Sequence, residues 1–95
     1  MNNAYIFLYN DDIGTREEVK KFIDSRREIV NWRYELPNSF FLISPNSAQE
    51  LSAIIRSFTG EKGKFLVAEC GANRQGWLDR ETWTFFREKK DINET

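Results

Sequence analysis

The sequence predicts an α+β fold in the order strand, helix, strand, strand, helix, strand, with a further helix at the C-terminus. Two observations carry this. Apolar residues switch in that order between strict alternation and helical spacing. The first two helical stretches each open with a Ser/Thr-x-x-Glu capping box, Thr15 with Glu18 and Ser47 with Glu50.

Residues 4–9 set Ile6 and Leu8 on one face against Tyr5, Phe7 and Tyr9 on the other. Both faces are apolar, so this strand belongs in the middle of a sheet. Residues 10–14 are loop chemistry, after which a helix from Thr15 to about Arg27 turns Val19, Phe22, Ile23 and the carbon stem of Arg26 inward. Residues 29–36 alternate Val30, Trp32, Tyr34 and Leu36 against Asn31, Arg33 and Glu35, as a half-buried strand does. Pro37, Asn38 and Ser39 leave so short a reversal that residues 40–44 must pair back as an antiparallel hairpin.

Pro45 and Asn46 end that strand, and the second helix turns Leu51, Ile54, Ile55 and Phe58 inward before stopping at Gly60. Residues 64–70 form the fourth strand and residues 71–78 a loop or short extra strand. Asp79 caps the last helix, on which Trp83 and Phe86 fall three apart. Right-handed crossovers place the first two helices on one face of a four-stranded antiparallel sheet, the ferredoxin-like βαββαβ arrangement. The whole chain, 1–95, is one such domain with 91–95 as a frayed tail.

Acids and bases nearly balance, with a formal net charge of −1, so no global field draws the protein to nucleic acid or an anionic membrane. The chain contains no histidine, which removes imidazole acid–base and nucleophilic chemistry and most zinc sites. The single cysteine, Cys70, excludes an internal disulfide and suits a reducing cytosol. With no clustered bases to activate it, Cys70 reads as a small buried strand residue. The longest apolar runs are strand-sized, so neither a signal peptide nor a membrane span is expected and a cytoplasmic location is.

Helices on one sheet face leave the other bare. Depending on register, the first strand presents there either Tyr5, Phe7 and Tyr9 or Ile6 and Leu8, a patch larger than monomers carry. It can be covered by the C-terminal helix folding back, by a second copy of the chain, or by stacked nucleobases; helix plus dimer is the favoured cover. The Lys/Arg-Gly-aromatic signature of RNA recognition modules is absent from residues 40–43.

Arg74, Gln75 and Trp77 can offer a guanidinium, an amide and an indole to a partner's phosphate and base. The competing reading, which the sequence favours, has Gly76 shaping the turn, Trp77 and Leu78 anchoring the last helix, and Arg74 solvated. Asn10, Asp11 and Asp12 can bind Mg²⁺ across a dimer, or simply form a polar turn whose acids suit the following helix dipole. Trp32 and Tyr34 share one strand face and Arg33 the other, so those three make no single site.

Tyr5-Ile6-Phe7-Leu8-Tyr9-Asn10-Asp11-Asp12, Asn31-Trp32-Arg33-Tyr34 leading into Asn38-Ser39-Phe40-Phe41-Leu42, and Arg74-Gln75-Gly76-Trp77-Leu78 resemble a SinR-like family of small bacterial proteins. That family is similar in layout to CRISPR-associated protein 2 and the VapD-type toxins, and the likeness spans residues 4–89. The resemblance implies a ferredoxin-like homodimer. In nuclease members of the group it also implies an Asp at the end of strand one, near the dimer axis, that binds a divalent metal. Here Asn10 occupies that place and Asp11 and Asp12 fall in the loop, and an amide is a poorer ligand for a hard dication than a carboxylate. The expectation is a non-catalytic homodimeric interaction or regulatory module of this group that binds a protein or nucleic-acid partner and needs no cofactor. The alternative is a Mg²⁺-dependent ribonuclease or deoxyribonuclease using Asp11 or Asp12 from both subunits, in a defence or toxin–antitoxin setting.

Overall fold

The computed structural model describes residues 1–93. Its elements are β1 (Asn3–Tyr9), a 3₁₀ turn (Asp11–Ile13), α1 (Arg16–Asp24), β2 (Asn31–Arg33), β3 (Ser39–Ser44), α2 (Ala48–Thr59), β4 (Phe65–Glu69) and α3 (Arg80–Glu88). The four strands form one antiparallel sheet in the order β2-β3-β1-β4. This α+β layout is compatible with a ferredoxin-like fold.

β1 and β3 are the two central strands, and their alternation supplies both halves of the core. Tyr5, Phe7 and Tyr9 of β1 and Phe40 and Leu42 of β3 pack with Val19 and Ile23 of α1 and Leu51 and Ile55 of α2. Ala4 and Ile6, with Phe41 and Ile43, face the other way and pack with Trp83, Phe85 and Phe86 of α3. Every residue of β3 is therefore buried. Burying a Phe, Leu or Ile side chain contributes about 1.5–3 kcal/mol, so the sheet is stable only with both faces covered.

Both capping boxes form as expected. Thr15 and Ser47 accept from the backbone N–H of Glu18 and Glu50, and each Glu side chain accepts from its cap's N–H in return. α1 ends earlier than its apolar pattern suggests, at Asp24. The Ser25 hydroxyl donates to the Phe22 carbonyl at 2.6 Å and closes the turn, while Arg26 leaves the inner face to pair with Glu28 at 3.1 Å. On α2, Phe58 stacks on Phe22 of α1 with ring centres 4.5 Å apart, clamping the two helices together.

β2 is much shorter than residues 29–36, for two reasons. At its start the alternation breaks: Val30 joins the α3-side cluster although Trp32 and Tyr34 pack on the α1 and α2 side. At its end Glu35 is drawn to the N-terminus of α3, and the chain reverses through Asn38 in the left-handed region at φ 54°. Asn tolerates that conformation, and here its amide donates to the Tyr9 carbonyl at 3.1 Å.

Ile92, within the expected frayed tail, and Lys90 just before it are tied to β2. The Ile92 N–H donates to the Val30 carbonyl at 2.8 Å, and the Asn31 amide donates to the Lys90 carbonyl at 3.1 Å. The left-handed C-cap at Lys89 turns the chain toward β2 and makes these bonds reachable. Glu94 and Thr95 of that tail lie outside the described residues. Among the described residues no helix is long and apolar enough to cross a membrane.

The turn into β4 depends on Gly63, at φ +67°, where a Cβ would meet the Ile13 side chain at 2.4 Å and the Asn10 side-chain oxygen at 2.6 Å. Gly60 also has positive φ, at +61°, but open space around it. Gly63→Ala should therefore cost about 2–5 kcal/mol, combining left-handed strain of about 1–2 with overpacking of about 1–3. Gly60→Ala should cost only the strain, and urea unfolding of the two variants would show the difference.

Candidate functional site

α3 lies on the sheet face opposite α1 and α2 and covers only part of it. Its anchor is Phe86, buried against Phe41 with ring centres 4.8 Å apart and flanked by Trp83 and Phe85. Its N-terminus is held by a side chain from the far side of the β2–β3 hairpin. Asp79 occupies the N-cap position but makes no side-chain cap bond. Instead its backbone N–H donates to Glu35 Oε2 at 2.9 Å, the Thr82 hydroxyl donates to Glu35 Oε1, and Arg33 Nε donates to that same hydroxyl.

Arg33 and Glu35 thus point away from Trp32 and Tyr34, as the alternation predicts. Thr82 donation, followed by the Asp79 amide and nearby Arg33, holds the Glu35 carboxyl below its usual range against a desolvation effect of opposite sign.

Between α3, residues 70–78 and the sheet runs a groove of about 510 Å³. Ile6, Leu36, Phe41, Leu78, Trp83 and Phe86 are among its apolar walls, and Glu69, Cys70, Arg74, Gln75 and Trp77 also line it. Three of the candidate partner-binding residues therefore share one site. Arg74 is not the freely solvated group expected: it is half-buried, its Nη1 donates to the Gly71 carbonyl at 2.8 Å, and its guanidinium lies 5.6 Å over the Phe86 ring. Cys70 is half-buried beside it, and burial pushes its thiol pKa up against the opposing pull of Arg74 and Lys89.

Trp77 corrects the sequence reading outright, because it is 98% exposed and anchors nothing. Gly76 lies against the Trp83 ring, with a Cβ there 3.8 Å from it, and Leu78 turns inward to the α3-side cluster. The indole between them is left pointing outward. Adjacent Trp and Leu are equally apolar, so composition alone does not say which one the turn buries.

The other candidates lie elsewhere. Tyr5, Phe7 and Tyr9 are buried beneath α1 and α2 and offer no surface, because the register turns Ile6 and Leu8, not the aromatics, toward the α3 face. The Tyr5 hydroxyl donates to the Asn46 carbonyl at 2.5 Å, and burial, the largest of several causes, raises the Tyr9 pKa. What remains exposed is the corner that α3 does not reach: Leu8, 45% exposed, paired across the sheet with Leu66, 57% exposed. Leu66 was not singled out from sequence, since residues 64–70 were read only as the fourth strand and most of them are apolar on both faces.

Asp11 and Asp12 sit in the 3₁₀ turn on the opposite side of the molecule's core. Asn10 is engaged by β4, its side-chain oxygen accepting from the Lys64 N–H at 3.1 Å, and Asp11 Oδ1 accepts from the Asn38 amide at 2.8 Å. Asp11 shares a cleft of about 360 Å³ with Tyr9, Arg16, Glu18 and Tyr34, where the Arg16 guanidinium lies 4.7 Å over the Tyr34 ring. A hard dication wants six or so oxygen ligands. Within one copy of the chain the Asn10 side-chain oxygen and Asp11 Oδ1 are both taken up by hydrogen bonds, and the Arg16 guanidinium lies in the same cleft. Among the described residues no three acidic or thiol groups converge as ligands.

Comparison with protein-family models, curated proteins and solved structures finds no match.

Two outcomes follow from this geometry. Trp77→Ala should change stability by no more than about 0.5 kcal/mol, as surface substitutions do, whereas Phe86→Ala should cost about 3–5 kcal/mol; denaturant titration separates them. The second concerns pH. Glu35 has a folded-state pKa below its unfolded value of about 4.3, so its stabilising contribution is present above that value and lost as pH falls through the folded-state pKa. Glu35→Gln should melt below wild type at neutral pH, with the gap narrowing steadily as the pH is lowered below about 4.

Proposed function

We propose that this protein is a small non-catalytic homodimeric interaction module of ferredoxin-like fold, with α1 and α2 on one sheet face and α3 on the other. We place it in the SinR-like group related in layout to CRISPR-associated protein 2. Its groove beside α3 binds a protein partner. The observation that carries the reading is Trp77, 98% exposed on the rim of an apolar groove of about 510 Å³.

Trp and Arg are the residue types that most often dominate binding energy. Here Arg74 is already ordered by Gly71 and Phe86, so little side-chain freedom is lost when a partner docks. The apolar walls suit a partner's hydrophobic side chain. Glu69 and Arg74 offset each other in the groove lining, and a net charge of −1 draws no phosphate backbone, which favours a protein partner over a nucleic acid.

The test is selection of displayed peptides on the wild-type protein, followed by affinity measurement on Trp77→Ala. Loss of a hot-spot residue, about 2 kcal/mol, weakens binding roughly thirty-fold. Selected peptides that bind the variant as well as wild type would sink the groove assignment. Labelled single-stranded RNA and DNA, incubated with Mg²⁺ or Mn²⁺, should remain intact. Cleavage that disappears in Asp11→Ala or Asp12→Ala would install the nuclease reading in place of this one.

A further inference from the structure

We infer that the free edge of β4 is where the second copy joins, antiparallel about a two-fold axis at Val67, so that one sheet runs through both subunits. This inference rests on the homodimer part of the function proposed above and specifies its surface.

The two edges of the sheet differ. β2 spans only Asn31–Arg33, and its flanks are engaged: Ile92 bonds to Val30, Lys90 to Asn31, and Arg33 to Thr82 of α3. β4 has a strand partner on one side only, β1. The direction of its backbone groups can be read from the ladder. Cys70 N–H donates to the Ala4 carbonyl at 2.8 Å, and Asn10 N–H donates to the Lys64 carbonyl at 3.0 Å. In an antiparallel pair alternate residues bond to each neighbour. Residues 64, 66, 68 and 70 therefore turn their backbone toward β1, and Phe65, Val67 and Glu69 turn theirs outward. β4 carries no proline, and natural sheets rarely leave such an edge unprotected.

Self-pairing satisfies this edge on three counts. An axis at Val67 sets the outward-directed Phe65, Val67 and Glu69 against Glu69, Val67 and Phe65 of the partner subunit, so donors meet acceptors along the strand. It keeps the faces in register, placing Leu66 opposite Ala68 of the partner subunit. The exposed Leu8–Leu66 corner gains cover there. The charges also select the direction. Lys64 stands just before the strand and Glu69 at its end. Parallel in-register pairing would set Lys64 against Lys64 and Glu69 against Glu69, like charges directly opposite on one face, which the antiparallel arrangement avoids.

The experiment is mass determination by light scattering up to about 500 µM, read with amide hydrogen exchange of the full chain, where dimer dissociation should track both signals. Wild type should be dimeric with the Phe65, Val67 and Glu69 amides protected. Glu69→Pro removes an outward N–H on an exposed residue without touching the β1 ladder, and Leu66→Lys puts a charge on the exposed face; each should raise the dissociation constant at least about tenfold while the circular dichroism spectrum stays that of the folded chain. Ala68→Lys, on the same exposed face and opposite Leu66 of the partner subunit, should weaken the dimer likewise. If Glu69→Pro fails to fold, Leu66→Lys and Ala68→Lys decide. A monomeric wild type overturns the homodimer and this surface together. A dimeric wild type whose affinity none of these variants changes overturns the β4 edge alone and leaves the homodimer to another surface.

Discussion

The constraint on which this structure depends is that its two central strands are apolar on both faces. β3, with the sequence Ser-Phe-Phe-Leu-Ile-Ser, is buried throughout, and β1 alternates large aromatics with Ala4, Ile6 and Leu8. A sheet with helices on one face alone would leave Phe41, Ile43 and Ile6 in water. α3 is therefore part of the fold and not an appendage, and Phe86 against Phe41 is the contact through which it serves. The Glu35 link to Asp79 and Thr82 complements this contact by fixing where the helix begins. A carboxylate at a helix N-terminus is favourable in its own right, and here it comes from the β2–β3 hairpin, so hairpin and helix are oriented together.

From that constraint follows the asymmetry that gives the molecule a functional surface. One nine-residue helix is too short to cover a four-stranded sheet, and it lies toward Val30 and Phe41, away from Leu8 and Leu66. The connection from β4 to α3 must then cross the uncovered part. In doing so it half-buries Leu78 and Arg74, exposes Trp77, and leaves the groove beneath itself. The site is the space left by an incomplete layer.

The elements were legible in the sequence because each has a local cause. The capping boxes of Thr15 and Ser47, the turn at Asn38 and the stop at Gly60 are short-range chemistry, and all appear where that chemistry puts them. Tertiary competition decided the rest. β2 is truncated because Glu35 bonds to α3 and Val30 to the tail, partners forty or more residues away, to which local alternation is blind. The choice between Tyr5, Phe7 and Tyr9 on one hand and Ile6 and Leu8 on the other was likewise undetermined, because both sets are apolar.

The site was legible only in part. Arg74, Gln75 and Trp77 stood out by residue type, yet their roles divided against expectation: Arg74 packs and Trp77 does not. Periodicity assigns a face only where polar residues mark the other one, and residues 74–78 alternate nothing. A turn must choose between neighbouring indole and isobutyl groups by shape, and here Leu78 falls inside against the α3-side cluster while Trp77 points out. The same lack of contrast hid Leu66. An edge strand whose two faces are both apolar carries the signature of a central one. In β4, where Phe65 and Val67 pack inward while Leu66 and Ala68 remain in water, that mismatch between a central strand's composition and an edge strand's position is what an additional strand would resolve.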